Sequence, residues 1–270
     1  MMRKKIVSLC MALTLCLSLL PATAQAAEEG SSTVYVGGEA LTGSAESPAY
    51  ATTDESGTVT TNGATAENYN VMWDGTTLTL RNATIEQAKE YGNSQESMAI
   101  YLASGNMNLA LVGENTVDAP GDGNAASCGI NLGNGSLTIS GENSASLTVY
   151  GGPTEHGNSC GIYANGTITI DSGTVTATGE SASGDSYGIC ASGAVTIENG
   201  TVNATSGEAD GYFSCGIRAG GTVTIEDGTV NATGGNADRD SYGIYASSFT
   251  INGGTVVATG GEAANRYSMG

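Results

Sequence analysis

A block of 21 residues recurs along this chain, and it constrains the fold more than any other feature. The pattern is S-x-G-I-x-A-x-G-x-V-T-I-x-x-G-T-V-x-A-T-G, starting at Ser159, Ser186, Ser214 and Ser241 with spacings of 27, 28 and 27 residues. Looser copies start at Ser97 and Ser127, and Ser268-Met269-Gly270 opens another, so the chain is expected to end inside a repeat, as a truncated product or fragment would. A period of this length is the signature of a stacked repeat architecture.

Within a unit, apolar and polar residues alternate over three short runs, each ended by glycine. Cys160, Ile162 and Ala164 share one parity, followed by Ile168 and Ile170, then Val175 and Ala177. Period-two alternation, dense β-branching and no 3.6-residue stripe predict three strands separated by tight bends. Three strands in about 27 residues form one coil of a parallel β-helix, an all-β solenoid in which each coil stacks on the next at ~4.8 Å. Ile, Val and Ala ladders are expected inside, and Thr, Asn and acids outside. Gly173, Gly200 and Gly228 are expected at the corners, where positive backbone angles are needed.

Composition agrees with that reading. The chain has 41 glycines in 270 residues and only 13% charged residues. Disorder would need more charge and fewer β-branched residues, and collagen would need glycine at every third position. A net charge of −19 argues against a nucleic-acid-binding surface.

Residues 1–26 read as a secretory signal peptide: Arg3, Lys4 and Lys5, then an apolar run Ile6 to Leu20, then Ala24-Gln25-Ala26 as the cleavage site. The run is too short to span a bilayer, which takes ~20 residues. Its removal takes away three bases and no acids, moving the net charge from −19 to −22. Residues 27–96 are expected to form capping and degenerate coils. Thr77 to Ile85 supply two strands there, Val34-Tyr35-Val36 and Thr58-Val59-Thr60 an atypical first coil, and Trp73 part of the cap's core. Glu86 to Gln95 reads as a polar loop with at most one helical turn. Residues 97–270 are the repeats. The expected product is a secreted or cell-surface monomer with no membrane span.

The stretches Asn70 to Ile85, Ala99 to Gly105 and Leu111 to Val117, with the later G-T-V-x-A-T-G-G units, resemble a bacterial group. These are the secreted right-handed β-helix proteins described as carbohydrate-binding-domain-containing, found in anaerobic Gram-positive bacteria. The resemblance covers roughly residues 70–270. It implies a right-handed, pectate-lyase-like coil used to bind polysaccharide at the cell surface, sometimes with calcium.

Several positions are candidate sites. On the first strand of each coil, an outward position is filled by Tyr101, Asn131, Tyr163, Cys190, Arg218 and Tyr245. Beside it Gly129, Gly161, Gly188, Gly216 and Gly243 are expected to form an outer trough. Tyr101, Tyr163, Arg218 and Tyr245 are the candidate glycan-binding residues, because the apolar faces of sugars suit aromatic rings. Asp171, Glu198 and Glu226 form one column at the corner after the second strand, with Asp227 beside the last. Stacked like charges repel, and weakly bound calcium would relieve them; splaying into water is the simpler account. Thr174, Thr176 and Thr178 begin an outward array resembling the ice-binding faces of antifreeze solenoids, although β-propensity alone selects such residues. Cys128, Cys160 and Cys215 are expected in an inward column as core residues, because neighbouring rungs give poor disulfide geometry.

The catalytic inventory is thin. His156 stands in a loop, Arg218 has no acid beside it in its strand, and Glu180, Asp185, Glu208, Asp210, Asp238 and Asp240 recur with the loops as an acidic rim. The sequence therefore predicts a non-catalytic carbohydrate-binding or adhesive β-helix. A structural stalk spacing further modules is the alternative, and an ice-binding face or a polysaccharide lyase are minor ones.

Overall fold

The computed structural model describes residues 32–91, 96–121, 125–142 and 144–270, all within the unit Ser31–Gly270. The expected signal peptide, residues 1–26, lies outside the described residues. None of the described residues is helical, and no helix is long and apolar enough to cross a membrane.

The chain winds as a right-handed parallel β-helix of three sheets. In the coil that starts at Ser159 the strands are Ser159–Ala164, Ile168–Ile170 and Thr174–Gly179. Each pairs in parallel register with its counterpart one coil on, so identical positions form columns. Ile130, Ile162, Ile189, Ile217 and Ile244 make one such column in the first sheet. Ile139, Ile170, Ile197, Ile225 and Ile251 make another in the second. Away from the last coil these side chains are fully buried, and each contributes roughly 1.5–3 kcal/mol by leaving water.

Glycine turns the corner before the third strand, as expected. Gly173, Gly200 and Gly228 have φ of 92°, 91° and 94°, in the left-handed region that side chains enter only with strain. Two further devices were not expected. The loops between third and first strands carry a fourth, minimal ladder of single bridges through Thr154, Ala182, Ala209, Ala237 and Ala263. The serine that opens each repeat is buried and clips that loop in place. Ser186 Oγ donates to Glu180 O at 2.8 Å and accepts from Gly207 N at 3.0 Å, and Ser241 and Ser159 act in the same way. A buried hydroxyl is tolerated only when bonded in this manner.

The N-terminal region differs from the stacked coil that was expected. Thr77–Arg81 and Thr84–Ile85 do join the solenoid in parallel. Val34 to Val36, however, lies antiparallel to Glu39–Gly43 and to Tyr101 and Ile100. Ala49–Thr53, Val59–Thr60 and Val71–Trp73 form an antiparallel meander that ends on Thr77–Arg81. Antiparallel hairpins need only short turns, so they can close off an exposed sheet edge without another full coil. Trp73 is the centre of this cap, fully buried, with Nε1 donating to Ser32 O at 2.8 Å. Lys89–Tyr91, expected as loop or helical turn, is a short strand antiparallel to Glu96–Met98.

Candidate functional site

The first sheet carries the largest departure from strict alternation. Ser159–Ala164 was read with Cys160, Ile162 and Ala164 inside and Gly161 outside. In the structure Gly161 and Ile162 both face inward, and Cys160 turns out. A Cβ on Gly161 would lie 2.8 Å from Thr178 N and 2.7 Å from Gly188 O, and Gly188, Gly216 and Gly243 meet the same kind of backbone obstacle. The first and third sheets thus touch backbone to backbone at this column, which only glycine permits. The expected outer glycine trough does not exist. In its place the neighbouring column, Met98, Cys128, Cys160, Tyr187, Cys215 and Tyr242, lies on the outer face.

Two side-chain columns therefore stand together on that face and form a second apolar cluster, separate from the solenoid core. A groove of about 410 Å³ runs between them. Tyr163, Tyr187, Arg218, Cys190, Cys160 and Asn131 line it, together with the acids Asp185 and Glu96. Of the four glycan candidates, the groove brings Tyr163 and Arg218 together. Tyr101 lies outside it and stacks on Tyr35 of the cap, ring centroids 6.5 Å apart. Tyr245 sits just beyond Arg218 in an aromatic group, 5.1 Å from Tyr242 and 5.6 Å from Phe213. Tyr187, Tyr242 and Phe213 escaped the sequence reading. The signal for the first two was the glycine that follows every residue of their column except Met98, because glycine inside a strand marks a bulge or a close backbone approach.

Hydrogen bonds fix the groove's polar groups. Asp185 accepts from the Tyr187 hydroxyl at 2.7 Å and from the backbone of Tyr212 and Phe213 at 2.8 and 2.9 Å. Burial, then the Asp185 charge, holds the Tyr187 phenol well above its ordinary pKa. Arg218 lies over Tyr187, Cζ 5.6 Å from the ring centroid, and Nη1 donates weakly to Cys190 Sγ at 3.7 Å. Its Nε is buried with no acceptor, and among the described residues no carboxylate is bonded to it. Burial would lower the guanidinium pKa, but Tyr187 and Cys190 beside it more than offset that, so Arg218 stays charged.

The four cysteines among the described residues, Cys128, Cys160, Cys190 and Cys215, are free and buried. They stand on the groove side, not in the core column expected for three of them. Burial raises the pKa of Cys160, Cys190 and Cys215; the Cys128 thiol adds to the effect at Cys160, and Arg218 partly opposes it at Cys190. A thiol so shifted is protonated at neutral pH and a poor nucleophile.

Asp171, Glu198 and Glu226 do form the expected column, one residue past the stacked Ile170, Ile197 and Ile225. They are exposed, and Glu226 accepts from Asn252 Nδ2 at 2.8 Å, while Asp227 Oδ1 turns back to Gly228 N at 2.7 Å. Among the described residues no group of three or more His, Cys, Asp or Glu is placed to hold a metal ion. The Thr ladder of the third sheet is interrupted by Asn203 and Asn231, which bond each other at 2.9 Å, and by Val257. The loop acids divide. Asp185 and Asp240 turn to the first sheet, where Asp240 accepts from Tyr267 N at 3.2 Å. Glu208, Asp210 and Asp238 are exposed along the loop ridge, and His156 is exposed in its own loop.

A sequence family described as beta helix repeat matches residues 168–191, 195–221, 223–244 and 249–265. No curated protein and no solved structure matches the chain. The matched segments cover the coils whose columns are most regular, and pattern and architecture agree: this is a protein built of β-helix repeats.

Proposed function

We propose that the chain is a non-catalytic carbohydrate-binding protein, exported by way of residues 1–26, that holds a glycan in the groove on the outer face of its first sheet. The observation that carries this reading is the clustering of Tyr163, Tyr187, Tyr242, Tyr245 and Phe213 with one guanidinium along a single strand face. Aromatic rings give a sugar an apolar platform, and the polar groups between them select its hydroxyls. Protonated thiols and hydrogen-bonded carboxylates support binding over catalysis, since neither is poised as nucleophile or proton donor.

Pull-down on insoluble polysaccharides together with a glycan array tests the proposal. Binding is expected, with a loss of tenfold or more in the Tyr163→Ala, Tyr245→Ala double variant at unchanged melting temperature. Absence of binding to any glycan would favour a structural stalk instead.

A further inference from the structure

Arg218 stands out among the groove's side chains because the fold leaves its donors almost unused. A guanidinium offers five N–H groups in a planar fork that matches a carboxylate. Here one of them reaches only a thiol at 3.7 Å, and Nε is buried without an acceptor. Leaving a charged donor buried and unsatisfied is costly, and among the described residues no carboxylate is bonded to it. Asp185, the acid on the same flank, is already taken by the Tyr187 hydroxyl and two backbone N–H groups. Glu96, the other acid lining the groove, belongs to a coil four steps away, about 19 Å along the axis at the stacking distance. That is beyond the screening length of ~8 Å at physiological salt.

We propose that the glycan held in this groove is acidic, a hexuronate-bearing saccharide whose ring carboxylate pairs with Arg218 while its neighbouring rings lie on Tyr163 toward the cap and on Tyr245 in the other direction. The inference rests on the carbohydrate-binding reading above and adds the ligand's charge. The protein's strong net negative charge does not oppose it at this point. Glu208, Asp210 and Asp238 lie along the loop ridge and Asp171, Glu198 and Glu226 at the corner after the second strand, and of the two acids that turn to this sheet, Asp185 is bonded to the Tyr187 hydroxyl and two backbone N–H groups and Asp240 to Tyr267 N.

The test is titration calorimetry of the whole chain with a soluble hexuronate oligomer and with the same oligomer after its carboxyl groups have been reduced to alcohols. The acidic form is expected to bind at least tenfold more tightly. That advantage should shrink as salt is raised, whereas binding of the reduced form should not change. Arg218→Gln is expected to abolish the difference by weakening the acidic oligomer alone, and Arg218→Lys to keep part of it. Equal affinity for the two oligomers in the wild-type protein would overturn the acidic-ligand proposal and leave the carbohydrate reading standing. Binding of neither form, nor of any insoluble polysaccharide, would remove both. A sulfated oligomer binding more tightly than the hexuronate in an Arg218-dependent way would overturn the carboxylate assignment. The salt comparison uses the unaltered chain, so the proposal stays testable even if a variant fails to fold.

Discussion

The cap and the coils solve one problem, the open edge of a β-sheet, by opposite means. From Thr77 onward every strand but Lys89–Tyr91 pairs in parallel with an equivalent one, and the buried columns draw mainly on a small choice: Ile, Val, Ala, Ser or Gly. Before Thr77 nothing repeats. Short antiparallel strands fold over the end of the stack, and one large residue, Trp73, fills the space a ladder would otherwise occupy. Stability in the coils is thus distributed over many equivalent contacts, and in the cap it is concentrated.

Substitutions should expose that contrast. Trp73→Ala removes the cap's largest buried side chain and is expected to cost about 4 kcal/mol. In hydrogen exchange the loss of protection should be confined to the cap and the first coils, because each coil touches only its neighbours. Protection lost equally at Val230 and Ala232 would show that the two regions are one cooperative unit. Gly188→Ala drives a Cβ to 2.6 Å from Thr205 N and 2.7 Å from Gly216 O. Neither backbone atom can yield without moving a sheet, and overpacking of this kind is expected to cost about 3 kcal/mol. Its effect should spread to the coils on both sides. Gly105→Ala is the control: it meets nothing within 4 Å and bears only the strain of a φ of 102°, about 1 kcal/mol. A Gly188→Ala melting point no lower than that of Gly105→Ala would refute the close approach of the two sheets.

Ser186→Ala removes the 2.8 Å donor to Glu180 O, while Gly207 N keeps Gly179 O at 2.7 Å, and should cost about 1 kcal/mol in chemical denaturation. The smallest effect is expected where cap meets coil. Burial, and then the charge of Glu86, raises the Asp118 pKa. A raised folded-state pKa contributes stability below the unfolded value of 3.8 and loses it as pH rises through the folded value. At pH 7 the charge is therefore a mild burden. Asp118→Asn should raise the melting temperature by about 1 °C there, with no gain below pH 3; an equal gain at both would show that charge is not the cause.

The coils were legible in the sequence because one pattern was written several times. Alternation at Ile168 and Ile170, or at Val175 and Ala177, can be read directly, and Gly173 marks its own corner. The cap was legible only in part. Trp73 announced a core, but the strands Glu39–Gly43, Ala49–Thr53 and Val71–Trp73 are too short and too singular to reveal their partners. The groove was misread for a different reason. Strict alternation was carried through Cys160, Gly161 and Ile162, whereas the chain breaks parity at the glycine. Tyr163, Arg218 and Tyr245 keep their outward places under either reading. Tyr187 and Tyr242 change sides and add two rings to the outward Tyr163 and Tyr245.

The glycine column that caused that error also governs how stiff the proposed glycan groove is. Most sheet surfaces rest on a layer of side chains that can shift rotamers when something presses from outside. Under Gly161, Gly188, Gly216 and Gly243 that layer is missing, and the floor rests directly on the peptide planes of the third sheet. A glycan bound as proposed would meet a bed with little freedom to lose, one whose selectivity is set before the ligand arrives. A residue with no side chain, hidden inside, thus determines how unyielding the outside is.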